Sequence, residues 1–280
     1  MATGLWIAST GAAAQAQNLD VIANNLANSD TPAYKKDVST FKEYLANVER
    51  THDTADISRK PIQDKDFYPL DGRDQSFVVM DGTHILHQQG HLRVTQGQLD
   101  VAIEGPGFLE VNTPQGPRFT RDGSLKIAAD GRLVTSSGFP VLAVEPTVAD
   151  ALPNGGINPS LGAAGRYINL RDQGAHFTIN EVGEIYAGEN LVAKLSLCEF
   201  KDMKKLRKAG AQLFENFDPK NKGIAHSSQI RQGLLEMSNV NPVEEMANMI
   251  RTNRLFEQDL KALKTYGELM GKEVNEVGKL

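Results

Sequence analysis

Residues 21–36 read VIANNLANSDTPAYKK, and this stretch marks the place where a long apolar helix ends. Asn24, Asn25 and Asn28 fall within five residues, just before the sequence breaks at Asp-Thr-Pro. A short amide side chain competes for backbone hydrogen bonds, so it is a poor helix former. The three asparagines therefore indicate either a helix C-cap, which suits Asn28, or a helix whose amides are buried against neighbouring chains.

Upstream of this stretch, mostly apolar residues recur at alternating spacings of three and four, which is the a/d pattern of a coiled coil. The positions are Leu5, Ala8, Ala12, Gln15, Leu19, Ile22 and Leu26. Asp20 is the only charged residue in 1–28. Because a solvated helix normally carries charges on its outer face, this composition predicts a helix that is buried on several sides.

A second helical pattern begins near the C-terminus, with Asn241 as the predicted N-cap, Pro242 at the first helical position, and Glu244 and Glu245 in the first turn. Alternating spacings of three and four recur at Met246, Met249, Asn253, Phe256, Leu260, Leu263, Gly267 and Met270. We therefore expect the two terminal helices to pair as a coiled coil. An ordinary helical hairpin that caps a β domain is the alternative.

Between the helices, residues 92–200 read as short strands separated by turns, and Leu99, Val101 and Ile103 show the alternation of a half-buried strand. The regular spacing of strands and turns predicts a mainly antiparallel β domain, so the predicted fold class is α+β. The predicted parts are a helical assembly domain (1–44 plus 236–280), an extended connecting segment (45–91) and a β-rich outer domain (92–235).

Composition excludes several classes of function for this chain of 280 residues. The net charge of −5 gives no basic face for nucleic acid. Cys198 is the single cysteine, so an internal disulfide framework is excluded. No apolar run approaches the ~20 residues that cross a bilayer, and the N-terminus lacks the basic region of a secretory signal. We expect no nucleic-acid binding, no direct membrane insertion and no cleaved signal peptide.

The pattern His84-x2-His87-x3-His91 is the strongest signal for a metal site, since the three imidazoles would share one face of a helix. Gly90 interrupts that helix, however, and no carboxylate lies at a matching position. P-loop, dinucleotide-binding and G-x-S-x-G sequences are also missing. The sequence therefore predicts no catalytic residue, no cofactor and no metal.

The stretch ANNLANSDTPAYKK resembles the N-terminal signature of the bacterial flagellar axial proteins, which are the rod, hook and hook-associated subunits. Two further stretches, DVAIEGPGFLEV and FTRDGSLKIAADGRLVTSSGFPVL, resemble the central block of the rod and hook subfamily. The stretch GLLEMSNVNPVEEMANMI resembles its C-terminal signature. These motifs cover most of the chain in the expected order and leave only 45–91 unmatched.

Within this family, LWIASTG resembles the distal-rod type, FlgG. TPAY, RLFEQDLK and the closing NEVGKL are more similar to the proximal-rod type, FlgF, which they favour. The family usually places glycine before the aromatic residue that Tyr34 matches, whereas this chain has Ala33. If the turn needs a positive φ, Ala33 costs about 1 kcal/mol.

The resemblance implies a structural subunit of the flagellar basal-body rod. Such subunits polymerise into a helical drive shaft that transmits torque from motor to hook and encloses the export channel. The terminal helices would line the inner wall, and the β domain would face outward. The implied partners are copies of the chain, neighbouring rod and hook proteins, and the flagellar type III export apparatus, with the rod lying in the periplasmic space. A hook subunit and a secreted oligomeric β-domain adhesin or binding module are the alternatives.

The predicted assembly interface combines the two seams, the asparagines and the start of the second helix. Its residues are Leu5, Ala8, Ala12, Leu19, Ile22, Asn24, Asn25, Leu26, Asn28, Ser238, Asn239, Val240, Asn241, Met246, Met249, Ile250, Phe256, Leu260 and Leu263. Since the helices would depend on partners, we expect residues 5–28 and 243–270 to be poorly ordered in an isolated subunit.

Overall fold

A computed structural model describes residues 2–46, 75–144, 166–171, 176–210, 212–224 and 227–277. The chain divides into two compact units. The helical unit consists of Met1–Asn24, Asp37–His84 and Val243–Leu280, and the β unit consists of Asn25–Lys36 and Ile85–Pro242. The predicted connecting segment, 45–91, falls partly on residues 47–74, which lie outside the described residues.

Two long helices, α1 (Ala2–Ala27) and α2 (Pro242–Val277), arise from the two ends of the chain. As the sequence indicates, α2 has proline at its first position and acidic residues in its first turn. Carboxylates at this end interact favourably with the helix dipole. Neither helix, over the part of the chain described, combines the length and hydropathy needed to cross a membrane.

Within the helical unit, α1 packs antiparallel against α2. A Cβ atom at Gly4 would lie 3.1 Å from the Tyr266 ring, and one at Gly11 would lie 3.4 Å from the Asp259 carboxylate. About two helical turns further along α1, the Asn18 amide donates a hydrogen bond to Thr252 Oγ1 at 3.4 Å. Each step of seven residues along α1 is matched by a step of seven residues back along α2. The predicted packing of the terminal helices on each other is confirmed.

A two-stranded sheet follows α1, formed by β1 (Asp37–Ala46) and β2 (Gln75–Ile85). Ser39 of β1 donates a hydrogen bond to the Asn18 side-chain oxygen at 2.7 Å. Asn18 therefore connects β1 to α1 in addition to its bond to α2. A two-stranded sheet is marginal on its own, and this bond to a helix helps to hold it.

The β unit is mainly antiparallel, as predicted. Its short paired strands are β3 (Leu92–Val94) with β17 (Leu234–Glu236), β4 (Val101–Glu104) with β16 (Gln229–Gln232), and β7 (Leu125–Ile127) with β8 (Leu133–Thr135). A three-stranded sheet contains β9 (Phe177–Ile179), β10 (Glu184–Ala187) and β11 (Asn190–Lys194), with β10 in the middle.

The largest sheet of the β unit has six strands. They are β5 (Gly107–Thr113), β6 (Gly116–Thr120), β12 (Leu197–Phe200), β13 (Leu206–Lys208), β14 (Leu213–Asn216) and β15 (Lys222–Ile224). Their order across the sheet is β13–β14–β6–β5–β12–β15, and every described pairing is antiparallel. Because β5 is central, it is buried along nearly its whole length.

The core of the β unit has two parts. The larger cluster collects aliphatic side chains from most strands, including Val101, Leu109 and Ile185, all of them fully buried. The smaller one is built around Phe108 and Phe214, whose ring centroids lie 5.5 Å apart in an edge-to-face arrangement. Such aromatic pairs add to the stabilisation that comes from burial alone. The predicted α+β class is thus confirmed.

Candidate functional site

The predicted seam of α1 faces the interior of the protein. Ala12 and Ile22 are buried, and the remaining apolar seam residues are half-buried. Those half-buried residues are Leu5, Ala8, Leu19 and Leu26. The three-and-four spacing of the sequence thus identifies the inward side of this helix.

The inward side of α2 is more polar than its apolar spacing suggests. Met249, Phe256 and Leu263 of the predicted seam are half-buried. The contacts to α1 given above come from Thr252, Asp259 and Tyr266, which each precede a predicted seam position by one residue. Small or amide residues of α1, namely Gly4, Gly11 and Asn18, lie opposite them. These residues of α1 leave room for the polar side chains of α2, whereas a seam of large apolar pairs would not.

As a result, α2 leaves apolar side chains on its outer side. Met246, Ile250 and Leu260 are 47%, 58% and 45% exposed, and at about 100° of rotation per residue they fall within ~100° of the helix circumference. We call these three residues the outer stripe of α2. On α1, Trp6 and Ile7 are likewise exposed. Large apolar residues exposed on both helices are typical of a surface that meets another protein.

The asparagines of the opening stretch divide into three environments. Asn25 is buried, and its side-chain oxygen accepts a hydrogen bond from the Tyr34 hydroxyl at 3.1 Å. The Asn28 side-chain oxygen accepts one from Thr31 Oγ1 at 3.3 Å. Asn24 lies exposed on α1. Asn25 and Asn28 thus hold the turn that follows α1 within the same chain.

The turn after α1 does use a positive φ at Ala33, the condition under which the sequence predicts a backbone cost for this residue. Ala33 has φ of 58°, in the left-handed region that glycine adopts without penalty. Its methyl group is buried, and its N–H donates to the Glu236 carbonyl oxygen at 2.8 Å. The turn therefore keeps the geometry of a glycine position although a larger residue occupies it.

The predicted residues before α2 lie at a crossing of chain segments. Ser238 and Val240 are buried, and Asn241 is exposed. The Asn239 side-chain oxygen accepts from the Lys36 N–H at 2.7 Å. Its amide group donates to the carbonyl oxygens of Leu86 and Gln88, at 2.8 and 3.0 Å. Asn239 thus fastens three stretches of backbone that are distant in sequence.

A buried ionic cluster beside this crossing is absent from the sequence-based site. Lys35 Nζ lies 2.5 Å from Glu236 Oε1, and Arg121 Nε lies 2.8 Å from Glu236 Oε2. All three side chains are at most 2% exposed. Burial lowers the pKa of Lys35, and the Glu236 carboxylate opposes that shift. We call Lys35, Arg121 and Glu236 the junction network.

One signal could have found the junction network. Each of the three residues lies in a family-like motif: Lys35 in YKK, Arg121 in FTRDG and Glu236 in LLEM. An exposed charge would not need to be part of such a motif. Charges in three separate motifs can satisfy each other only if the fold brings them together. Sequence spacing alone cannot show this proximity.

The three histidines have different surroundings. The His84 ring nitrogen lies 3.2 Å from Thr40 Oγ1, and His91 is exposed. The His87 ring packs 5.6 Å from that of Phe214. Burial, together with the nearby Lys35, lowers the pKa of His87 to about 4. Among the described residues, no group of three or more His, Cys, Asp or Glu side chains could hold a metal ion.

Three family models match separate parts of the chain. "Flagella basal body rod protein" matches residues 5–35, "Flagellar hook protein FlgE/F/G D1 domain" matches 102–187, and "Flagellar basal body rod FlgEFG protein C-terminal" matches 231–277. The matches cover α1 with its turn, much of the β unit, and α2 with the strands before it. Two terminal helices, a β unit between them in the sequence, and these matches together define the class of flagellar rod and hook proteins.

Full-length relatives narrow the class. The chain is 30% identical to the flagellar basal-body rod protein FlgG of Buchnera aphidicola subsp. Schizaphis graminum, covering 97% of this chain and 98% of that protein. It is 32% identical to FlgG of Borreliella burgdorferi (97% of each chain) and 30% identical to FlgF of Caulobacter vibrioides (94% and 93%). The chain belongs to the flagellar basal-body rod protein family, of the FlgF/FlgG type.

Proposed function

We propose that this chain is a structural subunit of the flagellar basal-body rod. It polymerises into a helical shaft that transmits torque from motor to hook and encloses the export channel. Membership of the rod family supports this role, as do relatives that are named as basal-body rod proteins over nearly their whole length. The subunit then resides in the periplasmic part of the basal body, after export by the flagellar type III apparatus without signal cleavage.

The apolar residues exposed on both terminal helices carry the proposal. A helical filament needs two different, complementary patches on every subunit, so that copies join head to tail without closing a ring. The outer stripe of α2 supplies one patch, and Trp6 with Ile7 of α1 supplies the other. In the proposed polymer, the exposed side of α1 in one copy packs on the outer stripe of the next. The helices thereby complete a coiled coil of several chains around the channel.

The polymer also gives the polar composition of α1 a purpose. Its amides and small residues desolvate at lower cost than charges would when neighbouring copies cover the helix. Asn24, which lies exposed on α1, belongs to the proposed assembly interface. Other residues of the proposed interface, including Ile22 and Leu26, are buried or half-buried in the subunit itself.

The proposal is tested by deleting either helix in a strain that carries this gene as its only copy. We expect chains without residues 2–24 or without 243–277 to be absent from purified hook–basal bodies, while the β unit keeps its circular dichroism. The matched control replaces exposed Val182 and Phe217 of the β unit by serine, which leaves incorporation intact. Incorporation that survives the helix deletions but is lost with the β-unit changes would favour a binding module instead.

A further inference from the structure

Three stretches of chain lead out of the β unit, and side chains of that unit fasten them together. The stretches are 25–36, 85–90 and 236–242. We infer that Glu236 is a positioning residue that fixes these three stretches side by side where the chain leaves the β unit. The inference concerns the β unit itself, so it does not depend on the proposed polymer.

Glu236 is bonded to each neighbouring stretch. Its carbonyl oxygen accepts from the Ala33 N–H at 2.8 Å. Its Oε1 accepts from Lys35 Nζ at 2.5 Å and from the Gly90 N–H at 3.0 Å. Its Oε2 accepts from Arg121 Nε at 2.8 Å. One residue at the end of β17 therefore holds the turn after α1, the stretch after β2 and the body of the β unit.

The partners of Glu236 are themselves anchored. Lys35 Nζ also donates to the Gln88 carbonyl oxygen at 2.8 Å. The Arg121 guanidinium donates to three carbonyl oxygens of the β4–β5 turn, those of Ile103, Gly105 and Gly107, at 2.8–3.3 Å. Because both carboxylate oxygens and both cations have protein partners, the cluster is satisfied without solvent. A satisfied buried polar network specifies one arrangement of the chain.

The backbones near Gly90 and Met237 lie in direct contact. A Cβ atom at Gly90 would lie 2.0 Å from the Met237 carbonyl oxygen, so the two stretches touch through backbone alone. The Met237 N–H also donates to the His91 carbonyl oxygen at 2.9 Å. A side chain at position 90 would force the stretches apart. Glycine at this position and the carboxylate at 236 thus serve the same close approach.

Removing the charge of Glu236 has a different consequence from removing the charge of one of its cationic partners. Two buried cations share its single carboxylate, and a third cationic group lies near, since Lys208 Nζ donates to the Lys35 carbonyl oxygen at 2.6 Å. Neutralising Glu236 leaves two buried cations without an anion, which is far more costly than losing one hydrogen bond. Neutralising Lys35 leaves the balanced pair of Arg121 and Glu236. The effect of one substitution therefore depends on the other.

The test measures amide hydrogen exchange by mass spectrometry on the full chain. Glu236→Gln keeps the shape of the side chain and removes its charge. We expect exchange over 33–37 and 86–91 to rise about tenfold or more, while exchange over 107–113 and 190–200 changes less than about twofold. The double variant Lys35→Met/Glu236→Gln exchanges more slowly over 33–37 and 86–91 than Glu236→Gln alone, because it leaves one buried cation, Arg121, without an anion instead of two.

Two further variants keep the test decisive. Glu104→Gln removes an exposed carboxylate from the β unit and should leave every segment unchanged. If Glu236→Gln does not fold, Lys35→Met alone should raise exchange in the same two segments, by less than tenfold. Equal acceleration in all segments, no acceleration, or a double variant as fast as Glu236→Gln would each overturn the inference. Rod incorporation plays no part in these outcomes, so a failure of the proposed function remains distinguishable.

Discussion

Replacing Ile250 by glutamate separates folding of the subunit from its assembly. Burying a whole Ile, Leu or Met side chain contributes ~1.5–3 kcal/mol, so covering the exposed half of the three residues in the outer stripe contributes ~2–5 kcal/mol per contact. Ile250→Glu loses its share of this energy and places a carboxylate in an apolar contact. We expect a total loss of at least ~3 kcal/mol, which weakens each contact more than about a hundredfold.

The stability of the isolated subunit should hardly change, because Ile250 is already more than half exposed. We expect its free energy of unfolding in urea to remain within ~0.5 kcal/mol of the wild-type value. Gln258→Glu introduces the same charge at an exposed position of α2 outside the outer stripe, and it is the matched control. The assay counts each variant in hook–basal bodies purified from a complemented deletion strain. Incorporation of Ile250→Glu at the level of Gln258→Glu would refute the assignment of the outer stripe.

Three other predictions concern the chain itself. Gly4→Val should disrupt α1–α2 packing because its Cβ would meet Tyr266, whereas Gly267→Val, with open space around it, should not. Equal losses of helical circular dichroism in the two variants would contradict this packing of α1 on α2. Ala33→Gly relieves ~1 kcal/mol of backbone strain but removes a buried methyl group that contributes ~0.8 kcal/mol. The free energy of unfolding in urea should therefore change little, and a large change would contradict the turn geometry. The lowered pKa of His87, about 4, means that the unfolded chain binds more protons below pH ~6.5. Stability should then fall by ~2 kcal/mol between pH 6.5 and 4 after allowance for partial exposure, and an equal fall in His87→Gln would count against this cause.

Some elements follow from the sequence because one local rule decides them. Asn241-Pro242-Val-Glu-Glu starts α2 at the residue where proline is tolerated, and Leu125–Ile127, in which two apolar residues flank Lys126, becomes β7. For residues 201–214, the sequence does not decide between a short basic helix and an extended arm. The structure resolves them into a single turn of 3-10 helix at Met203–Lys205 followed by β13 and β14.

The sides of α2 could not be assigned from spacing. An apolar stripe that packs within a chain and one that awaits another chain have the same period, so Met249 and Met246 look alike in the sequence. Only the fold shows that Thr252 and Asp259 take the side against α1. Gly4 and Gly11 of α1, which lie opposite Tyr266 and Asp259, would by themselves suggest a flexible helix.

Buried charge was the other feature beyond the reach of the sequence. Charged residues are usually exposed, so apart from their positions inside family-like motifs nothing in the sequence distinguishes Lys35 and Arg121 from the many surface cations of the chain. Their burial depends on a carboxylate more than a hundred residues away. Asn25 is a similar case, because its partner Tyr34 becomes evident only when the turn after α1 is seen.

The most direct test of rod membership is a quantitative mass-spectrometric census of hook–basal bodies purified with detergent from the bacterium. We predict that this chain co-purifies in fixed ratio with the other axial proteins. Its copy number then separates a short proximal rod segment, which NEVGKL and RLFEQDLK favour, from a long distal segment or the hook. If the chain is missing from intact particles and abundant in the medium or the periplasm, it is not a rod subunit.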